Sequence, residues 1–134
     1  MKDISQNTGF LILRIALGSS MLLHGISKLL NGVEGISNML IGKGIPGFLA
    51  YGVYAGEVIA PILLMIGFRT RIAALILVIN MLVIFFIAHP GDIFALTEKG
   101  AWELELAGLY LFSSLALFFT GGGKFAVSSS NNWD

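Results

Sequence analysis

"IAALILVINMLVIFFIAHPG", residues 72–91, is the stretch that decides the fold. It contains no charged residue, and a helix needs about 20 mostly apolar residues to cross the roughly 30 Å hydrocarbon core of a bilayer. A helix on a soluble core would keep one polar face, which this stretch lacks. The stretch therefore predicts a transmembrane helix.

Three further stretches share this character. Residues 4–27 carry one charge, Arg14, residues 44–68 carry one, Glu57, and residues 106–123 carry none. We therefore predict an all-α fold, an integral membrane four-helix bundle that fills residues 1–134 as a single domain. The predicted helices cover residues 8–30, 47–66, 71–89 and 103–120.

The composition narrows the classes of protein. Apolar residues make up 56% of the chain and charged residues 12%, whereas soluble domains average about 45–50% and 25%. The net charge of zero gives no reason to expect a nucleic-acid partner. The chain has no cysteine, which excludes disulfides and thiolate metal sites. The expected partners are the lipid bilayer and other membrane protein subunits.

Basic residues in the short loops predict the orientation. They favour one side, which places both termini in the cytoplasm and the protein in the bacterial cytoplasmic (inner) membrane. The polar tail "SSSNNWD", residues 128–134, is expected to fray. In the first loop, Ile36, Met39 and Leu40 have helical spacing, which predicts a short interfacial helix. The favoured side carries Lys2, Arg69, Arg71 and Lys124, against Lys43 and Lys99 on the other, with Lys28 at its margin.

Small residues mark the faces where membrane helices meet. Gly52 and Gly56 form a GxxxG beside Glu57, and Gly108 lies one turn after Glu105. Because the ionisable residues share stripes with glycines, we predict that they face the interior of the bundle. The stripe of the first helix consists of Arg14, Gly18, Met21, Gly25 and Lys28.

Glu57 lies deepest among the predicted polar groups. Ten residues into the second helix, it is about 15 Å below the surface. A charge at the centre of a bilayer costs at least about 2.5 kcal/mol, so this carboxyl should be protonated or meet a cation. Pro61 has no N–H to donate four residues back, which frees the carbonyl of Glu57 as another acceptor.

Several polar residues are predicted to converge on Glu57 from the outer ends of the helices. His24 and Lys28 end the first helix, and His89 ends the third. Glu103 and Glu105 open the fourth helix, Asn80 lies near the middle of the third, and Arg14 stands apart, about 21 Å from Lys28 along the first helix. Each also has a structural interpretation, such as snorkelling of Lys28 or simple pairing of Glu57.

No His-x-x-His or Glu-x-x-His pair favours a metal site. A protonatable cluster in an apolar pocket could hydrogen-bond the carbonyl oxygens of a quinone and handle its protons. It could also carry protons or a small solute, or hold the bundle together.

The chain resembles the DoxX family of small membrane proteins. The resemblance rests on "RIALGSSMLLHGISKL" (14–29), "GEVIAPILLMIGFRTRIAA" (56–74), the histidine of "IAHP" and "WELELAGLYLFSSLALFFTGGGKFAVSS" (102–129). It implies a four-helix membrane fold and a link to redox chemistry, because related chains include a subunit of a thiosulfate:quinone oxidoreductase. It points to Arg14, His24, Lys28, Glu57, Arg71, His89 and Glu105.

The leading hypothesis is a DoxX-like subunit of a quinone-linked redox system. Glu57 is its proton acceptor, Lys28 the counter-charge, and His24 and His89 are donors to a carbonyl oxygen. A quinone is the one cofactor that the cluster suggests. The alternatives are a non-catalytic assembly subunit of a larger membrane complex and a small proton or solute carrier. The predicted ligand-binding residues are His24, Lys28, Glu57, His89 and Glu105, and the predicted structural polar residues are Arg14, Asn80 and Arg71.

Overall fold

The structure, a computed structural model, describes residues 2–134 and is all-α in that range. Helices α1 and α2 are joined by a two-residue turn, and α3 is joined to α4 by the short turn 67–69. The longer connection 89–104 contains one 3-10 turn and one isolated β-bridge between Leu96 and Trp102. The helices are α1 (Lys2–Asn31), α2 (Glu34–Gly42), α3 (Gly47–Ile66), α4 (Thr70–Ala88) and α5 (Glu105–Thr120).

Helices α1, α3 and α4 are each long and apolar enough to cross a membrane. Helix α5 is equally apolar, but its 16 residues reach only about 24 Å. The predicted bounds of α3 agree with the structure, and those of α4 differ by one residue at each end. Helix α1 begins six residues earlier than predicted and α5 two residues later. Three of the long helices thus have the length and hydropathy of membrane spans, and α5 is shorter.

The four long helices pack around one apolar core. Four residues of the α1 stripe are buried, as predicted: Arg14, Gly18, Met21 and Gly25. The opposite faces expose large apolar side chains such as Ile12 and Phe112, which suits contact with lipid. The core residues are Leu17, Met21, Ala60, Leu64, Ala73, Ala74, Leu77, Met81 and Leu117.

The predicted short helix in the first loop is confirmed as α2. Leu40 of α2 and Val33 before it form a second small cluster with Ala50 of α3. This cluster lies at the end of the bundle that also holds Lys28 and the connection 89–104, and we call it the Lys28 end. The turn 67–69 and the chain after α5 lie at the opposite end, the Arg69 end.

Residues 121–134 fold back across the Arg69 end, and we call them the C-terminal strap. Val127 and Ser128 donate backbone N–H groups to the carbonyls of Ile66 and Gly67, each at 3.2 Å. The prediction that residues 128–134 fray is therefore wrong. Gly121 and Gly123 have φ of 75° and 78°, which glycine adopts without strain and which turns the chain back onto the bundle.

The strap ends on a buried carboxylate. Asp134 accepts hydrogen bonds from the hydroxyl of Ser128 (2.6 Å), the N–H of Asn131 (2.8 Å) and the guanidinium of Arg69 (3.1 Å). The Ser128 bond, above all, lowers the pKa of this carboxyl, with further lowering by Asn131 and Arg69 that outweighs the raising effect of burial. The short polar side chains of the tail thus satisfy one another.

Arg14 connects three parts of the chain. Its buried guanidinium donates to the carbonyls of Leu64 (3.0 Å) and Met65 (3.2 Å) at the end of α3, and of Phe125 (3.1 Å) in the C-terminal strap. A Cβ at Gly67 would lie 2.5 Å from this guanidinium. Arg14 therefore ties α1 to α3 and to the strap.

Candidate functional site

Glu57 lies at the centre of a π-helical segment of α3, Ala55–Ile59. Pro61 cannot donate to the carbonyl of Glu57, and the N–H of Ala60 bonds to the carbonyl of Ala55, five residues back. The sequence thus identified the loss of the usual donor to this carbonyl at Pro61, but it did not indicate the π geometry. Such segments are frequent at functional sites, and here the segment carries the buried carboxylate.

Two glycines bring the neighbouring helices against this segment. A Cβ at Gly25 of α1 would overlap the freed carbonyl oxygen of Glu57, and a Cβ at Gly56 would lie 2.7 Å from the side chain of Asn80 in α4. Gly52 has open space around its Cα. Of the predicted GxxxG pair, Gly56 therefore makes the close contact and Gly52 does not.

The carboxylate of Glu57 forms an ion pair with Lys28. The Lys28 Nζ lies 2.5 Å from Oε2, and the Asn80 Nδ2 lies 3.5 Å from Oε1. The side chain of Glu57 is 3% exposed and that of Lys28 is 28% exposed. A cation and an amide from two other helices thus compensate a carboxylate that would be costly to bury alone. The counter-charge predicted for Glu57 is present.

The ion pair lines a cavity of about 140 Å³, which we call the inner cavity. Glu57, Lys28, His24 and Tyr110 give it a polar side, and apolar side chains complete it. The volume suits a small ring or a few water molecules, each of which needs about 10–15 Å³. Apolar walls with a few converging polar groups are typical of ligand sites. The apolar lining residues are Met21, Met81, Ile84, Leu106 and Ala107.

His24 and Tyr110 form one wall of the inner cavity. Their ring centroids are 6.0 Å apart and their planes make an angle of 82°, an edge-to-face contact between α1 and α5. On the far side of these rings lies a groove of about 380 Å³, lined by Ser20, Leu23, His24, Ser27 and Tyr110. We call it the outer groove.

Sequence reasoning missed Tyr110 and Tyr54. Tyr110 is the one tyrosine of α5, a polar group in a helix that is otherwise almost wholly apolar, and that contrast was the available signal. The hydroxyl of Tyr54 donates to the carbonyl of Lys28 at 3.1 Å, near the end of α1. No motif or spacing indicated that bond.

Two predicted ligand residues do not line the inner cavity. His89 lies 3.2 Å from Asp92, three residues on, and its side chain is 55% exposed. Glu105 is exposed at the start of α5, and Glu103, two residues before this helix, is exposed as well. His89 and Glu105 lie at the Lys28 end, as predicted, but neither side chain lines the inner cavity.

Trp102 occupies the place at which the side chain of Glu105 was expected. Its ring covers Gly108, where a Cβ would overlap it, and it packs against Phe85 at 5.5 Å between centroids. Its Nε1 donates to the carbonyl of Ile93 at 2.8 Å. The face of α5 that Glu105 was expected to share with Gly108 is therefore filled by an indole ring.

The family model described as DoxX matches residues 9–90. This range runs from the first half of α1 to the end of α4 and includes Gly25, Lys28 and Glu57. The chain belongs to the DoxX family.

Two curated relatives match this DoxX-family chain over most of their length. A Bacillus subtilis (strain 168) protein named "Putative oxidoreductase CatD" is 30% identical over 121 residues, which cover 89% of this chain and 84% of the relative. An uncharacterised Haemophilus influenzae protein is 33% identical over 120 residues, 87% of this chain and 86% of the relative. No solved structure gives a significant match.

Proposed function

We propose that this DoxX-family chain is a subunit of a membrane redox system and that its inner cavity binds the head group of a quinone. One observation carries the proposal. The buried Lys28–Glu57 pair faces a small cavity whose other polar groups, on His24 and Tyr110, are both able to donate a hydrogen bond. The name of the relative CatD supports the assignment to redox chemistry.

The proposed setting is the cytoplasmic membrane, crossed by all four long helices with both termini in the cytoplasm. The length of α5 is compatible with this. Its helix of about 24 Å falls short of the hydrocarbon core, and bilayers accommodate a short helix by local thinning at modest cost. The Lys28 end then faces outward and the C-terminal strap faces the cytoplasm.

The residues around the inner cavity have complementary roles in quinone reduction, which adds two electrons and two protons. A His24 or Tyr110 donor orients a ring carbonyl, and the Lys28 ammonium stabilises the negative charge that develops on its oxygen. Glu57 takes up two protons in turn from water at the Lys28 end and passes one to each ring oxygen, and after each transfer it returns to the carboxylate paired with Lys28. The electrons come from a partner protein, in keeping with the role of a subunit.

Titration of the purified protein in lipid nanodiscs with a single-ring benzoquinone carrying a decyl tail tests the proposal. We expect saturable binding that Glu57→Gln weakens at least about tenfold, the loss of roughly 1.4 kcal/mol. Glu103→Gln, an exposed glutamate outside the cavity, is the matched control and should bind as the parent does. Absence of binding to the parent, or parental binding by Glu57→Gln, overturns the proposal.

A second function is favoured by the same ion pair. Lys28, Glu57 and Asn80 come from three different helices, so their contact also fixes how α1, α3 and α4 meet. A non-catalytic assembly subunit needs that rigidity and no ligand. In that case Glu57→Gln lowers thermal stability or the yield of a co-purifying complex, and the decyl quinone does not bind.

A further inference from the structure

His24 and Tyr110 lie between the inner cavity and the outer groove. Both residues line the inner cavity, and both also line the outer groove. The edge-to-face contact between their rings joins α1 and α5 at this height. A rotation of either side chain therefore connects the outer groove with the Lys28–Glu57 pair.

The outer groove lies on the lipid side of the bundle. Leu23, which lines it, is 69% exposed, and Leu109, next to Tyr110, is 60% exposed. His24 is seven residues before the end of α1, which places it about 10 Å from that end, and Tyr110 is about 7.5 Å into α5. The groove is thus within the membrane-facing length of both helices. The hydroxyl groups of Ser20 and Ser27 make it more polar than the surface around it.

The other contacts that join elements of the bundle near Glu57 are tighter. Gly25 brings α1 onto the backbone of Glu57, Gly56 packs on Asn80, and Gly108 lies under Trp102. Opening any of these contacts requires the backbone elements themselves to separate. The wall between the two rings opens with side-chain rotations alone, which occur on the picosecond to nanosecond scale for exposed residues.

We propose that the ligand of the inner cavity enters sideways from the lipid, between α1 and α5, and that His24 and Tyr110 are the gate. The inference rests on the proposed function, because it assumes that the inner cavity binds a ligand. It specifies the ligand class: a ring compound bearing carbonyl or hydroxyl groups that is dissolved in the membrane. A charged, water-soluble substrate does not fit a route lined by Leu23 and bounded by lipid.

A second route competes with this one. A cavity of about 690 Å³ at the Lys28 end is lined by Asn31, Glu34, Ser37, Tyr51 and Tyr54, among others. Tyr54 separates it from Lys28 through the bond to the Lys28 carbonyl. A ligand arriving from water would pass this way, and the experiment below distinguishes the two routes.

Stopped-flow binding of the decyl benzoquinone to the protein in nanodiscs tests the gate. Ser20→Phe fills the outer groove without touching the ion pair, so association and dissociation should both slow by about tenfold while Kd changes less than about twofold, as for an obstructed access step. Ser19→Phe is the matched control, one position along α1 and outside the groove, and should leave both rates unchanged. Tyr110→Ala removes half of the gate and should accelerate association, and only its association rate is compared because the same change removes a hydrogen-bond donor of the inner cavity.

The outcomes separate the two proposals. Parental association rates in both Ser20→Phe and Tyr110→Ala, with binding intact, overturn the gate and leave the proposed function standing. Slowing by Ser37→Phe in place of Ser20→Phe also overturns it and assigns access from water. A parent that binds no quinone removes the proposed function and this inference with it.

Discussion

Lys28 and Glu57 depend on each other for burial. Removing one partner of a buried ion pair leaves the other charge uncompensated, whereas replacing both can be nearly neutral. We expect Lys28→Met to cost about 3 kcal/mol, at the low end of the range for buried pairs because Lys28 is partly exposed. The double variant Lys28→Met/Glu57→Gln should regain most of that loss.

Unfolding of these variants in a mixed-detergent titration measures the effect. Lys43→Met, at an exposed lysine of the first loop, is the control and should match the parent. Equal stability of Lys28→Met and the parent would contradict a stabilising ion pair at this site.

Depth in the membrane is what made the central residues of the site predictable. A carboxylate ten residues into an apolar helix demands a cation, and Lys28 was the candidate at the right height. Position along a helix fixes height but not direction, so His89 and Glu105 were placed at the correct end yet point away from the cavity. Tyr110 has neither charge nor motif to distinguish it, and its role depends on the contact with His24.

At the level of helices, the approach of α1 to α3 depends on Gly25. A Cβ there meets the backbone carbonyl of Glu57, which cannot move aside as a flexible side chain would. We expect Gly25→Ala to destabilise the protein by about 1–3 kcal/mol, the usual cost of overpacking, and to weaken quinone binding by displacing Lys28.

Gly9→Ala is the matched control for this prediction. Gly9 lies in the same helix with nothing within 4 Å of an added Cβ, and alanine is a better helix former by up to about 1 kcal/mol. Gly9→Ala should therefore be neutral or stabilising in the same unfolding titration. Similar behaviour of the two variants would argue against a tight contact at Gly25.

The C-terminal strap should respond to acid. The pKa of Asp134 is lower in the folded protein than its ordinary value of 3.8, so Asp134 stabilises the docked strap above that pH. The stabilisation is lost as the pH falls below 3.8 through the folded-state pKa. A spin label on Ser130→Cys, in a chain without other cysteines, should become more mobile in this acidic range.

Asp134→Asn is the comparison for the acid response. Its strap should be mobile at neutral pH as well, and its label should show little change on acidification. A label that stays immobile at low pH in the parent would show that Asp134 does not hold the strap.

Hydropathy and charge spacing predicted the helices well because the thickness of a bilayer sets the length of the apolar run that a spanning helix needs. The bounds of α3 and the existence of α2 followed from apolar runs and helical spacing. The π-helical segments 55–59 and 84–88 have no periodic signature. The docked strap was missed because serine and asparagine runs usually fray, and only the folded contacts with Arg69 and the Gly67 carbonyl offset that tendency.

Across the whole molecule, an apolar layer separates two polar regions. Arg14 lies toward one end and the Lys28–Glu57 pair toward the other, and Leu17, Met21, Leu64 and Leu77 are buried between them. Proton exchange at Glu57 is therefore expected from the Lys28 end or from the gate, and not through the core from the Arg69 end.

The orientation of the molecule gives a further prediction. In the proposed topology, with four crossings, Lys43→Cys lies outside and Ser130→Cys lies in the cytoplasm. In intact cells a membrane-impermeant maleimide should label Lys43→Cys and leave Ser130→Cys unlabelled until the membrane is permeabilised. Labelling of both in intact cells, or of Ser130→Cys alone, contradicts the proposed topology.

The contacts of Arg14 also bear on how the protein is made. Its acceptors Leu64, Met65 and Phe125 follow it by 50, 51 and 111 residues. At translation rates of about 5–20 residues per second, the guanidinium of α1 waits on the order of 10 s before the carbonyl of Phe125 emerges from the ribosome. The nascent first helix therefore holds a partly satisfied cation during synthesis, and arrival of the strap supplies the acceptor that was still missing.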